Sequence, residues 1–162
     1  MGTAPSDGVD DLIVRAHHAA VCVQDFDAAR AFYVQVLGFR VEGEMDRRAE
    51  PALGEVVGLP GAVVRWGMLV RDDFRLELFK YYTPQGRTEA NRQCDAGYTH
   101  LAFEVRDVDA AYARLIAAGH RTMSPPQNGF CQTSPIGRHS VVPASVTTGM
   151  PSDSLPALWC TG

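Results

Sequence analysis

The sequence predicts an α+β protein of two tandem βαβββ modules. Their strands form a curved mixed sheet around a cleft, and the second module is degenerate at its C-terminal end. Three observations predict this. A stretch of the first half recurs in the second, each copy passes from strand to helix periodicity at an aspartate, and a polar segment rich in turn formers separates the copies.

The repeat aligns HAAVCVQDFDAARAFYVQVLGFR (18–40) with HLAFEVRDVDAAYARLIAAGHR (100–121). His18 matches His100, Val23 matches Val105 and Asp25 matches Asp107. Gly38 matches Gly119 after a one-residue deletion. The His-to-Asp interval is seven residues in both copies, and the offset of 82 is about half of the 162-residue chain.

Residues 1–14 read as a flexible leader, with Gly, Pro, Ser and Asp but neither the basic start nor the apolar run of a secretion signal. The first module spans 15–81. In its first strand Ala19, Val21 and Val23 share one face, and His18, Ala20 and Cys22 the other. By the same alternation His17 points away from His18. Asp25 stands at a helix N-cap. Ala29, Phe32, Val36 and Leu37 follow at helical spacing, with Phe32 and Tyr33 read as helix core, and Gly38 occupies the left-handed position past the helix end. A strand near 39–46, a loop through 47–60, and strands near 62–70 and 74–81 complete βαβββ. Residues 82–97 are the linker, and 98–162 form the second module. Leu101, Phe103 and Val105 oppose His100, Ala102 and Glu104, Asp107 caps the helix, and Ala111, Leu115 and Ala118 give its apolar side. From about residue 122 the pattern gives way to Ser, Pro, Thr and Gly, and only short pieces such as SVVPASV read as strand.

Bulk properties narrow the function classes. A net charge of −4 excludes the concentrated basic surface that nucleic acid requires. No apolar run is long enough to span a membrane. Cys22, Cys94, Cys131 and Cys160 lack CxxC spacing, so a zinc ribbon is unsupported and free thiols in a reducing cytoplasm are expected.

Helices can cover only one face of each sheet, which leaves the face bearing His18 and His100 to line the cleft. A lone strand histidine is ordinarily packed or solvated, but two at equivalent repeat positions argue for a shared role. In FRLELFKYY, Leu76 and Leu78 oppose Arg75, Glu77 and Phe79, so Glu77 joins the histidines if the leucines face the helix. Two imidazoles and a carboxylate suit Zn, Ni, Co, Mn or Fe as a single divalent ion. Arg75, Phe79 and Glu104 are the candidate substrate contacts. For Arg75 and Glu104 a plain strand-surface or rim position is the competing reading. Trp66, Met68 and Tyr81 are further candidates for an apolar cleft wall.

At these residues the chain resembles the vicinal oxygen chelate superfamily, which includes glyoxalase I, methylmalonyl-CoA epimerase, extradiol dioxygenases, and fosfomycin and bleomycin resistance proteins. The matching stretches are HHAAVCVQDFDAARAFYVQVLGF, LPGAVVRWGMLV with RLELFKYYTPQGR, and GYTHLAFEVRDVDAAYARLIAAGH. The resemblance implies metal ligands at His18, Glu77 and His100, with Glu77 also the catalytic base. It implies a glyoxalase-like lyase or isomerase that acts on a small substrate with vicinal oxygens through an enediolate-type intermediate. An extradiol-type dioxygenase and a non-catalytic drug-binding or resistance protein are the alternatives. A homodimer is also implied. The family's fourth ligand, a Glu or Gln in the closing strand of the second module, has no counterpart in pattern, because Thr122–Gly162 contains no Glu. His139, Gln127, Gln132 or water are the replacements considered.

Overall fold

The computed structural model describes residues 9, 12–87, 100–120, 122, 125–126, 142–144 and 157–161, with backbone alone at 100, 142–144 and 157–161. The first module runs β1 (Ala19–Cys22), α1 (Phe26–Ala31), a π-helical turn (Phe32–Val36), β2 (Arg40–Arg48), α2 (Pro51–Val56), β3 (Val63–Arg71) and β4 (Phe74–Thr83). Its sheet has the order β1-β4-β3-β2, parallel between β1 and β4 and antiparallel elsewhere. The second module contributes β5 (His100–Glu104), α3 (Val108–Ala117), β6 (Val142–Ala144) and β7 (Ala157–Thr161), with the order β5-β7-β6. Here too the first strand pairs in parallel with the last described one. The architecture is α+β with mixed, curved sheets.

Cap chemistry sets both helix starts. Asp25 accepts from the Ala28 amide and Asp107 from the Ala110 amide, each at 2.9 Å, so one orphan N–H of each first turn is satisfied. Gly38 and Gly119 adopt φ of 73° and 81°, the left-handed conformation that lets the chain leave each helix.

Three local features differ from the sequence pattern. α1 widens into the π turn, and the extra residue rotates the face, so that Val36 is exposed, while Phe32 and Tyr33 are buried as expected. The stretch 47–60, read as loop, holds α2, which starts on Pro51 at its first turn, where proline's missing N–H costs nothing. In the tail, β6 falls within SVVPASV, but β7 was not expected: ALWCT lacks polar alternation, and its strand state comes from pairing with β5 and β6.

Leu76 and Leu78 are fully buried against the helix side, with Val21, Val23, Phe26, Ala29, Phe32, Tyr33, Phe39 and Leu69. Leu115 of α3 belongs to the same core, and Leu101, Phe103 and Val105 pack on it. The Phe39 and Phe103 rings lie 5.9 Å apart, edge to face. The two modules therefore share one apolar interior.

Candidate functional site: a carboxylate–imidazole pair on the open sheet face

Register decides which side chains share the face opposite this core. Across β3 and β4, Met68 stands opposite Glu77, Trp66 opposite Phe79 and Val64 opposite Tyr81. Along β1, Ala20 is level with Glu77 and Cys22 with Phe79. Directly paired residues point the same way, so Glu77, Phe79, Tyr81, Trp66, Met68, Ala20 and Cys22 form one surface. His18 ends the segment that leads into β1, and its contact with Glu77 brings it to this surface.

On this surface His18 Nε2 lies 3.2 Å from Glu77 Oε2. The Glu77 side chain is largely enclosed, at 15% exposure, and that of His18 is 35% exposed. The Trp66 indole N–H donates to Glu77 Oε1. The outer edge of the indole rests against Gly43, where a Cβ would come within 3.3 Å of the ring. His17 approaches from the other side, with its Nδ1 2.8 Å from His18 Nδ1. The expectation that the histidine rings diverge is overturned, because both residues precede β1 and strand alternation does not govern them. Partial burial pushes the Tyr81 phenol up, helped by the nearby Cys22 and Glu77 charges. Partial desolvation likewise pushes the Cys22 thiol up, against a hydrogen bond with the Tyr81 backbone. Both groups stay neutral beside the carboxylate at ordinary pH.

The other sequence candidates fall at different places. Phe79 is on the open face, with its ring 6.0 Å from that of Tyr81. Arg75 shares the face and makes a two-pronged ion pair with Glu42, at 2.9 and 2.8 Å. A bulge in β2 between Val41 and Gly43 frees Glu42 from the alternation. Glu104 is exposed and lines a groove of about 850 Å³ with Arg71, Phe103 and Arg106, which does not include His18 or Glu77. His100 opens β5 opposite Ala157, and only its backbone is described. Gln127, Gln132 and His139 lie outside the described residues. The pattern gave Trp66 only as a wall residue and dismissed His17. The alternation of Trp66 with Met68 signalled its face, while nothing in the sequence signalled the contact of the two histidines.

Comparison with known proteins agrees with this architecture. Residues 15–134 match the profile of the Glyoxalase/Bleomycin resistance protein/Dioxygenase superfamily. The chain belongs to this superfamily. The uncharacterized protein YaeR of Escherichia coli K12 is 34% identical over 101 residues, or 62% of this chain and 68% of that protein. A 2-epi-5-epi-valiolone epimerase of Actinomyces is 34% identical over 118 residues, or 70% of this chain and 64% of the epimerase. Among solved structures, a glyoxalase family protein of Bacillus cereus superposes with a TM-score of 0.71 at 21% identity, covering 92% of this chain and 95% of that one. A mutant fosfomycin resistance protein of Listeria monocytogenes, solved with Mn(II) and a dihydroxypropylphosphonic acid, superposes at 0.56 and 13% identity, with 92% of each chain covered.

Within this superfamily fold, the donor set can be tested for a divalent ion. Protein ligands sit roughly 2.0–2.2 Å from such an ion, so two ligands at tetrahedral to right angles stand roughly 2.8–3.6 Å apart. The 3.2 Å between Nε2 and Oε2 falls in that interval. The remaining heteroatoms, Nδ1 and Oε1, are engaged by His17 and Trp66 and leave the two convergent atoms as the available donors. The pair fits a cation. Among the described residues no three His, Cys, Asp or Glu side chains form a metal-holding group.

The strand registers give the second-module counterpart of Glu77. Ala20 is level with Glu77 in the first module, and its repeat counterpart Ala102 is level with Trp159 in the second. Leu76 corresponds in the same way to Leu158. The closing strand is therefore present, and it carries Trp159 at the register position of Glu77.

Proposed function

We propose that this chain is a divalent-metal-dependent isomerase or lyase of the glyoxalase type, acting on a small substrate with vicinal oxygens. The observation that carries the reading is the convergence of His18 Nε2 and Glu77 Oε2 on the open face, each braced through its other heteroatom. Similarity to an epimerase over 70% of the chain supports the isomerase side. His18 and Glu77, with His100 at the matching repeat position, would hold the ion. A bound divalent ion supplies Lewis-acid stabilisation of negative charge on substrate oxygens.

The chain's own groups supply the rest. Glu77 takes a proton from the substrate carbon on its carboxylate and returns it, while the Trp66 N–H orients that carboxylate. Phe79, Trp66 and Met68 make an apolar wall that displaces water from the reacting carbon. Tyr81, held neutral, presents a hydroxyl donor. Arg75, tied to Glu42, forms a fixed cationic rim for substrate, and Glu104 takes a rim role on the second module. A cytoplasmic homodimer is the proposed form of the protein.

The test uses protein purified without chelators, elemental analysis, and a panel of small α-hydroxycarbonyl compounds in D₂O followed by NMR. About one divalent ion per chain and deuterium uptake next to the carbonyl are expected. Both the ion and the exchange are lost in a His18→Ala, His100→Ala double variant, and Glu77→Gln strongly reduces exchange and weakens the hold on the ion. Undiminished exchange in Glu77→Gln overturns the assignment of the base.

Trp159 at the register position of Glu77 favours one second reading. Two imidazoles and one carboxylate with open positions is also the donor set of non-haem Fe(II) oxygenases. Oxygen consumption with catechols by the Fe(II)-loaded protein, without carbonyl exchange, selects it.

A further inference from the structure

The geometry points to His17 as a positioning residue that fixes the ring of His18 and exchanges its own tautomer when a cation occupies the His18–Glu77 pair. This inference rests on the proposed metal role of that pair. His18 is 35% exposed and lies outside β1, so neither close packing nor strand hydrogen bonds set its ring rotation. Two contacts do. Nε2 faces Glu77 Oε2 at 3.2 Å, and Nδ1 faces His17 Nδ1 at 2.8 Å, with the rings 5.1 Å apart and nearly perpendicular.

A neutral imidazole carries one N–H and one lone pair. Without a cation, His18 Nε2–H donates to the carboxylate, so its Nδ1 accepts and His17 must hold its proton on Nδ1. With a cation on Nε2, His18 carries its proton on Nδ1 and donates it to His17. The proton of His17 then resides on Nε2, which faces away from the contact. The Nδ1–Nδ1 contact serves both states with donor and acceptor exchanged. His17 is thereby the outer partner that a metal-bound histidine needs for orientation, and loss of such partners costs about 10–100-fold in metal affinity or activity.

The test is long-range ¹H–¹⁵N NMR of the histidines at mildly alkaline pH, with and without Zn²⁺, together with Zn²⁺ affinity by competition with a chromophoric chelator. In the metal-free protein His17 is expected as a single Nδ1–H tautomer, changing to Nε2–H on loading. His17→Ala is expected to weaken Zn²⁺ binding about 10–100-fold with an unchanged far-UV spectrum. His17→Asn, whose side-chain oxygen can accept from His18 Nδ1–H, restores most of the affinity. Equal affinity in His17→Ala and the unaltered protein overturns the inference, as does a His17 tautomer that does not respond to Zn²⁺. If the unaltered protein binds no Zn²⁺ and no other divalent ion, the functional reading fails instead. The metal-free His17 tautomer then still decides whether the contact orders the ring, and an exchanging mixture there refutes it.

Discussion

Trp66 and Glu77 stand on neighbouring antiparallel strands two residues off direct pairing, and the indole N–H of Trp66 donates to the Glu77 carboxylate across that diagonal. An apolar ring on the cleft wall thus also orients the acid. Trp66→Phe keeps the wall and removes the donor, and a hydrogen bond to a charged group contributes roughly 1.5–3 kcal/mol. Zn²⁺ affinity is expected to fall about 10–100-fold, and the thermal midpoint to drop by roughly 2–4 °C for each kcal/mol lost. Chelator competition and calorimetry measure the two quantities, and unchanged affinity would show that Glu77 needs no brace.

On the opposite face, Phe26 occupies the space above Gly67. A Cβ on Gly67 would meet the tip of the Phe26 ring at 2.9 Å, and Phe26 is almost wholly buried. Gly67→Ala therefore overpacks the core and is expected to cost about 1–3 kcal/mol, measured by urea unfolding.

Arg65 lies over the Phe26 ring at 4.3 Å and pairs with Asp27 and Glu44, and Arg30 also reaches Glu44. Burial pushes the Glu44 carboxyl up, but hydrogen bonds from Arg65 and Arg30 outweigh it and hold the group below the usual 4.5. A carboxylate depressed in the folded state contributes stability that is present above its unfolded pKa and is lost as pH falls through the folded value. Unfolding free energy should therefore drop as pH falls below about 4.5, and less steeply in Glu44→Gln. Parallel acid limbs for the two proteins would contradict this.

Trp159 holds in β7 the register position that Glu77 holds in β4. Trp159→Glu places a carboxylate at the register position of Glu77 and is expected to tighten Zn²⁺ binding roughly tenfold, or ~1.4 kcal/mol. No change would mean that β7 does not hold the fourth corner.

The parts legible in the sequence were those set by local chemistry. The caps at Asp25 and Asp107, the left-handed glycines 38 and 119, and the two faces of LELF each follow from a few neighbouring residues. The parts that escaped depend on tertiary packing or on breaks in period. The π turn turns Val36 out of the core, the β2 bulge sends Glu42 to Arg75, and β7 takes its strand state from its neighbours. The histidine pair was misjudged because alternation was extended two residues beyond where the strand begins.

Because β1 and β4 lie side by side in parallel, His18 and Glu77 meet although nearly the whole module separates them in the chain. Anything bound across them fastens the module's first strand to its last. By mass action such a ligand would stabilise the folded form in proportion to the logarithm of its concentration. The protein's resistance to heat and to proteases in a cell would then follow the supply of that ligand, making its availability a control on how long each copy survives.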